Sequence, residues 1–312
     1  MSRNRTILCV AAIVSLILSS EARAVIWGIR STAVTPPPRP SVGPVELFSI
    51  NEDGTGYVDH GNIFNNSPGV NLYTDFDGLA FSPGYGLVAF EYFGSRSGSR
   101  LSIIDPDGDG THDVTATKVD DYLFDREIRG AVFDRQQRLW ALDARHEEIL
   151  RVDLLDGSMK PGSNVGLTLG GSPYDVSDAA DLAVREDGSF FLTSVDADDN
   201  RAKVYSLDET TGALSLVHAN TAWLGEVGAT FSRSAGANDL FAVDVQSDED
   251  FVRYDLSGSV TRTALFTLPA TMNAGRGDLA AEIVIPEPST LAIFGLGGLT
   301  LLFLRRFGPR RR

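Results

Sequence analysis

The stretch "RGAVFDRQQRLWALDARHEEILRVDLLDG", residues 129–157, holds three short apolar runs separated by charged turns. Each run is only a few residues long, and the turns "DRQQR" and "DARHEE" are polar connections of the kind that join hairpin strands. No apolar spacing of three and four residues, as in an amphipathic helix, runs through the stretch. It therefore predicts a meander of three antiparallel strands.

The same pattern recurs along the chain at intervals of 47 to 52 residues. A period of this length is typical of β-propeller blades, in which each sheet buries both faces against its neighbours. The further copies span residues 77–105, 180–212 and 227–258, and the opening strands end at Phe81, Phe133, Val184, Phe231 and Ala281.

The two ends of the repeat region complement one another. Residues 45–61 resemble the outer strands of a blade without its inner strand, and "GDLAAEIVI" (277–285) resembles an inner strand without its outer ones. Joined, they would close the ring and remove its exposed edges. The predicted fold is therefore an all-β, five-bladed β-propeller over residues 45–285, with a β-sandwich as the alternative.

The N-terminus has the features of a secretory signal peptide. Two arginines precede the apolar run Ile7–Leu18, and Ala22 and Ala24 form a small-x-small cleavage site. Residues 1–24 would then be read by the Sec translocon and removed by signal peptidase, with an uncleaved membrane anchor as the alternative. Residues 25–44, which include "TPPPRPS", are predicted to be a proline-rich linker.

The composition limits the partners of the exported part. The net charge is −15, although both termini are rich in arginine, so the body is strongly acidic. Such a body repels phosphate backbones, which excludes nucleic acid as the expected partner. The single cysteine, Cys9, lies in the signal segment, so the mature chain is predicted to have no disulfide.

The C-terminus ends in "PEPSTLAIFGLGGLTLLFLRR", residues 286–306. Its apolar run Leu291–Leu304 would rise about 21 Å as a helix, which is short for a hydrocarbon core of about 30 Å. The order of Pro-Glu-Pro, apolar run and basic end resembles the PEP-CTERM sorting signal of Gram-negative bacteria. The residues that carry the resemblance are Pro286, Glu287, Pro288, Arg305 and Arg306.

That resemblance implies a sorting and transmembrane tail over residues 286–312, recognised and cleaved by an exosortase. It implies transient residence in the inner membrane, then a place in the cell envelope or outside the cell, where exopolysaccharide, biofilm matrix or envelope proteins are partners. A permanent C-terminal anchor is the alternative.

The segment "DPDGDGTHD", residues 105–113, is the predicted metal site. Alternating carboxylates on a tight turn suit a hard cation, and the spacing resembles an EF-hand calcium loop. Position 12 of that loop is Ala116 instead of a bidentate Glu, and an Asp/Gly hairpin without metal is the alternative. The predicted Ca²⁺ ligands are Asp105, Asp107, Asp109, Thr111 and Asp113.

Further candidates lie near the heads of the inner strands, where propellers gather ligands around the axis. The polar residues there are Asp77, Arg129, Asp181, Glu226 and Asp278, with Asp75 or Asp178 as alternatives. Trp140, Tyr174 and Trp223 could stack on sugars, although aromatic residues are more often part of a core. The tripeptide Arg276-Gly277-Asp278 has the sequence of an adhesion motif found in other proteins, and its occurrence here is attributed to chance.

No catalytic residues are predicted, because the four histidines lie far apart and no nucleophile motif occurs. The lead hypothesis is an exported, non-catalytic binding module. The alternative is a lactonase-like, metal-dependent hydrolase of the propeller type, with its cation on the central axis.

Overall fold

The computed structural model of the chain describes its folded part in eleven segments. They are residues 25–33, 42–65, 76–93, 98–110, 113–176, 179–195, 201–219, 226–231, 238–244, 250–269 and 277–281.

All regular elements in these segments are β-strands. In chain order they are β1 (Val25–Ala33), β2 (Val42–Asn51), β3 (Val58–Asn65), β4 (Phe76–Ser82), β5 (Gly86–Phe93), β6 (Gly98–Asp105), β7 (Val114–Phe124), β8 (Ile128–Phe133), β9 (Leu139–Asp143), β10 (Glu148–Val152), β11 (Val165–Gly166), β12 (Thr168–Leu169), β13 (Ser172–Pro173), β14 (Ala180–Val184), β15 (Phe190–Val195), β16 (Ala202–Leu207), β17 (Ala213–Ala219), β18 (Glu226–Phe231), β19 (Asp239–Asp244), β20 (Asp250–Asp255), β21 (Thr261–Thr267) and β22 (Gly277–Ala281).

The strands form antiparallel blades of four. Blade 1 is β4–β7, blade 2 is β8–β11, blade 3 is β14–β17 and blade 4 is β18–β21. The closing blade takes its inner strand, β22, from the C-terminal side and its other strands, β1 to β3, from the N-terminal side.

The innermost strands of the blades contact one another in a cycle. β4 contacts β8, β8 contacts β14, β14 contacts β18, β18 contacts β22, and β22 contacts β4. The predicted all-β propeller is confirmed, and this cyclic order supports the predicted number of five blades.

A separate apolar cluster lies between each pair of successive blades. Side chains alternate between the two faces of a strand, so one strand feeds two clusters. In β9, Leu139 and Ala141 pack with blade 1, whereas Trp140 and Leu142 pack with blade 3. This two-sided burial explains why the inner strands are almost continuously apolar in sequence.

The closing blade corrects the predicted domain boundary. β1 occupies Val25–Ala33, which the sequence assigned to the linker and not to the folded domain from residue 45. β1 lies between β22 and β2, with Ile26 opposite Ala281. The prolines that suggested a linker begin only at Pro36, so they do not prevent a strand before them.

Neighbouring blades are also joined at their outer strands. β3 of the closing blade pairs in parallel with β7 of blade 1, starting at Ile63 opposite Val114. The short strand β12, which follows blade 2, pairs in parallel with β17 of blade 3. These pairings cover outer edges that would otherwise offer free backbone groups to another chain.

The position of Ile26 tests whether β1 is part of the folded body. Its side chain is buried with Phe48, Phe241 and Leu279, so we expect Ile26→Ala to lower the free energy of unfolding by about 2–5 kcal/mol. Denaturant unfolding measures the change. Val58→Ala on the exposed side of β3 is the control and should cost less than about 0.5 kcal/mol; equal, small effects of both would mean that β1 is a linker.

Candidate functional site

Polar side chains from four inner strands meet near the axis of the ring. Asp77 on β4, Arg129 on β8, Asp181 on β14 and Asp278 on β22 are all buried, with at most 7% exposure. These are four of the five residues that the sequence predicted at the strand heads. The fifth, Glu226, begins β18, and its side chain lies outside the described residues.

Asp77 and Arg129 form an ion pair between blades 1 and 2. The Arg129 Nη1 atom lies 2.8 Å from Asp77 Oδ2, and its Nη2 atom donates to Glu127. The guanidinium also lies 5.5 Å from the centre of the Tyr92 ring. Buried charges need such partners, because an isolated charge in an apolar interior is costly.

Asp181 and Asp278 accept hydrogen bonds from backbone N–H groups of neighbouring strands. Asp181 Oδ2 accepts from Ala229 in blade 4 at 2.5 Å, and Asp278 Oδ2 accepts from Leu79 in blade 1 at 2.5 Å. The other oxygen of each carboxyl group accepts from the next N–H of its own strand, that of Leu182 or Leu279, at 2.6 Å. The two side chains thus tie their strands to the next ones in the cycle.

The carboxyl groups of Asp181 and Asp278 also influence one another electrostatically, because two negative charges in a dry interior repel each other. Burial and the negative charge of Asp278 raise the pKa of Asp181 well above its usual range. Burial, with a contribution from Asp77, raises the pKa of Asp278 to about 7.

Glycines allow the inner strands to approach this closely. A Cβ atom on Gly130 of β8 would lie 2.8 Å from the Asp181 Cα atom, and one on Gly228 of β18 would lie 2.5 Å from the Asp278 Cα atom. Gly228 also has a φ of +68°, which other residues rarely adopt. The register shifts in blades 2 and 4 include these glycines.

This arrangement suits structure better than catalysis. Every oxygen of the Asp181–Asp278 pair already accepts a backbone hydrogen bond, and the ion pair neutralises Asp77. Within the eleven described segments, no group of three or more His, Cys, Asp or Glu residues could hold a metal ion. This finding covers the axial carboxyl groups of the hydrolase alternative and equally Asp105, Asp107, Asp109 and Asp113 of the predicted calcium loop.

The predicted calcium loop lies far from the axis, in the outer hairpin between β6 and β7. Asp105 ends β6, and its Oδ1 atom accepts a hydrogen bond from the N–H of Asp107 at 3.0 Å, as in an Asp-initiated turn. Asp107, Asp109 and Asp113 are exposed, and Thr111 lies outside the described residues. Calcium binding at this loop remains a prediction.

The position where an EF-hand has its bidentate Glu is occupied here by a core residue. Ala116 lies in β7 and is fully buried with Ile63 and Ile104. No side chain at this position can turn towards the loop, so an ion there would need water or other oxygen ligands to complete its shell.

Two of the aromatic candidates belong to the core. Trp140 is buried and donates from Nε1 to Asp134 Oδ2 at 2.9 Å, and Tyr174 packs edge-on against Tyr205. Trp223 lies outside the described residues. Asp278, the last residue of the adhesion-like tripeptide, is buried at the axis, so it is not available to a receptor.

Sequence reasoning missed a polar network on the hairpin between β9 and β10. The fully buried Asp143 accepts from Arg126 Nη1 at 2.8 Å, lies 2.8 Å from His146 Nδ1, and accepts from the N–H of Glu127 and of Arg145 at 3.1 Å each. In the sequence, the closely spaced charged residues of "DARHEE" could have indicated this network. The contact to Arg126 joins this hairpin to the segment before β8, at the same end of the blade as Arg129.

The comparisons with known proteins identify the tail. Residues 284–308 match the family described as the PEP-CTERM protein-sorting motif. The motif residues Pro286, Glu287, Pro288, Arg305 and Arg306, like Ala22 and Ala24 of the predicted signal, lie outside the described residues. In the part of the chain that the structure does describe, no helix is long and apolar enough to cross a membrane.

No curated protein matches the chain. Among solved structures, a PQQ-bound aldose sugar dehydrogenase from Streptomyces coelicolor is 16% identical, with 76% of this chain and 85% of that one covered and a TM-score of 0.44. Virginiamycin B lyase from Staphylococcus aureus is 15% identical, with coverage of 75% and 70% and a TM-score of 0.38. A gluconolactonase from Xanthomonas campestris is 17% identical, with coverage of 64% and 66% and a TM-score of 0.41.

These similarities assign no activity to this chain. What the fold and the tail together define is an all-β propeller protein that carries a PEP-CTERM sorting motif.

The carboxyl pair predicts an unusual dependence of stability on pH. The folded state binds a proton at Asp278 up to about pH 7, and the pKa of Asp181 is raised as well, whereas an unfolded Asp releases its proton near pH 4. The free energy of unfolding should therefore fall as pH rises from 5 to 7, by up to about 1.4 kcal/mol per pH unit for each proton that the folded state retains.

Asp278→Asn should lower the stability and flatten this slope in denaturant unfolding at pH 5, 6 and 7. The slope of each variant is compared with that of the wild type, because a second group changes stability in the opposite direction. Burial lowers the pKa of His60, so its contribution makes stability rise with pH. Asp187→Asn is the control: its hydrogen bond to Arg185 lowers its pKa to about 2, so its contribution changes only in acid. The same slope in the wild type and Asp278→Asn would contradict the assignment of the proton.

Proposed function

We propose that this chain is exported to the cell envelope or the extracellular matrix, that an exosortase processes its tail, and that its folded body is a non-catalytic binding module. The observation that carries the proposal is the match of residues 284–308 to the PEP-CTERM sorting motif. Exopolysaccharide and envelope proteins are the proposed partners, and a Gram-negative bacterium is the proposed source.

The non-catalytic part of the proposal is supported by how the axial groups are used. Asp181 and Asp278 accept hydrogen bonds from backbone N–H groups, and Asp77 forms an ion pair with Arg129. A catalytic site needs lone pairs and protons directed at a substrate, and at the axis these groups are directed at the protein itself.

A binding function would use the surface at the end of the blades, near the polar network around Asp143. Phe124 at the end of β7 is 75% exposed, and the Arg145 and His146 side chains are each about one-third exposed. The Arg145 Nη1 atom donates to Asp125 at 2.5 Å. An aromatic ring beside hydrogen-bonding side chains is a surface on which a sugar can stack and bond.

The hydrolase remains the second candidate, since two carboxyl groups do converge on the axis as such an enzyme would require. It needs a metal ion there, because the chain supplies no motif for a nucleophile. The calcium loop of the lead hypothesis and the axial cation of this alternative are distinguished by one experiment.

Thermal unfolding of the mature chain is compared in millimolar calcium and in chelator. If the 105–113 loop binds calcium as proposed, calcium raises the Tm, since an ion at 100 times its Kd that binds only the folded state adds about 2.7 kcal/mol. Asp107→Asn with Asp109→Asn should abolish the shift. The matched control, Asp153→Asn with Asp156→Asn, changes a different acidic turn of blade 2 and should retain it.

If calcium still raises the Tm of the Asp107→Asn, Asp109→Asn variant, the result would favour a cation at the axis and the hydrolase hypothesis. Turnover of lactones by the mature chain would then overturn the non-catalytic proposal. No shift in the wild type would remove calcium from both hypotheses.

The processing step is tested at the Pro-Glu-Pro sequence. Pro286→Ala with Pro288→Ala should leave an uncut, membrane-associated chain, because prolines keep this segment extended for the protease. Mass spectrometry of membrane and extracellular fractions detects the tail. Pro40→Ala, in the N-terminal proline-rich segment, is the control; extracellular chains of mature mass in both variants would contradict processing at this sequence.

A further inference from the structure

The two strands that close the ring lie next to the two segments that handle export. β1 begins at Val25, directly after the predicted signal cleavage site at Ala24. β22 ends at Ala281, and the PEP-CTERM match begins at residue 284. The described strands therefore fill the chain almost up to both processing sites.

The register of the closing blade brings these two ends together. β1 and β22 are antiparallel, and Ile26 lies opposite Ala281. The start of one strand and the end of the other are thus neighbours at the same end of the blade, about 5 Å apart. The predicted signal and the sorting tail would leave the ring side by side.

Among the described residues, this edge is packed by side chains of the ring itself. Ile26, Ala281 and Leu279 are buried with Phe48 and Phe241. At the other end of β22, Asp278 accepts the N–H of Leu79 and so links β22 to the first blade. In the part of the chain that the structure describes, the contacts that close the ring are thus made by residues that precede the match beginning at residue 284.

The tail offers little distance between the ring and the cleavage segment. Four residues lie between Ala281 and Pro286, and the five Cα–Cα steps span at most about 18 Å when fully extended. A protease that meets Pro-Glu-Pro at the membrane therefore works within that distance of the closed edge.

We propose that the sorting protease cuts the tail of an already closed ring, which faces the membrane with the edge where β1 begins and β22 ends. This rests on the proposed function, in that the tail must be the substrate of an exosortase. It adds the order of events, with ring closure before cleavage, and the surface of the ring that the protease meets.

A disulfide across the closing strands tests the order. The single cysteine of the sequence is Cys9, in the predicted signal, so Ile26→Cys with Ala281→Cys in a Cys9→Ser background gives two thiols and one possible bond. Paired residues of antiparallel strands have Cα atoms about 4.5–5.5 Å apart, within the range of a disulfide. Trp27→Cys with Ala280→Cys, the next pair in the register, is a second variant in case the first disturbs the core.

Ile26→Cys with Ala280→Cys is the matched control. Ala280 points to the opposite face of β22, where it packs with Ile29 and not with Ile26. Its thiol therefore cannot reach Cys at position 26 in the closed ring. Alkylation of free thiols in denaturant without reductant, followed by mass spectrometry, reads both variants, because these positions are buried in the folded ring and free thiols there would otherwise escape the reagent.

The assay is made on full-length chains in exosortase-deficient cells, where the tail stays attached. We expect the thiols of the two facing pairs to be protected from alkylation and those of the control to be alkylated. In cells with the exosortase, the disulfide-locked chain should be cut as completely as the wild type. Free thiols in every uncut precursor, or a locked chain that is not cut, would overturn the proposal.

Failure of the proposed function gives a different result. If the wild-type tail is not cut in cells with the exosortase, processing is wrong, while the thiols of the precursor still report whether the ring closes with the tail attached.

Discussion

The close approach of the inner strands at the axis is the constraint on which the rest of the structure depends. Strands that meet there bring backbone N–H groups into a dry interior, and each buried N–H needs an acceptor. Asp181 and Asp278 supply acceptors for Ala229 and Leu79, and Gly130 and Gly228 leave room for the two aspartates. The ion pair of Asp77 and Arg129 adds a third link, between β4 and β8. Because these side chains link neighbouring inner strands, polar groups near the axis are here part of the framework.

This use of the axis shifts attention to the ends of the blades. The apolar clusters between blades fix the body, while the hairpins around Asp143 and the 105–113 loop carry exposed charged groups. A scaffold of this kind supports recognition by loops, which are free to vary without disturbing the packing. The match to the sorting motif suggests processing for export, and binding is the function that we propose for the folded body.

The repeat could be predicted because blade packing imposes the same short apolar strands every 47 to 52 residues. Closure could also be predicted, since 277–285 lacked outer strands. The strand β1 could not be predicted, because its partner β22 is some 250 residues away in sequence and because a proline-rich segment follows β1. The polar residues at the strand heads were identified, but their chemistry depends on register shifts next to Gly130 and Gly228. Such shifts leave no mark in the apolar pattern, so the backbone hydrogen bonds that Asp181 and Asp278 accept could be found only in the structure.

The position of β22 as the last strand has a mechanical consequence. A force applied through the tail would enter the described body at Ala281, the last residue of β22. Hydrogen bonds between antiparallel strands lie across the strand axis, so the component of such a force along β22 loads its bonds to β1 in shear and therefore all together. The strand that completes the ring is thus also the one through which the tail would pull on the folded body.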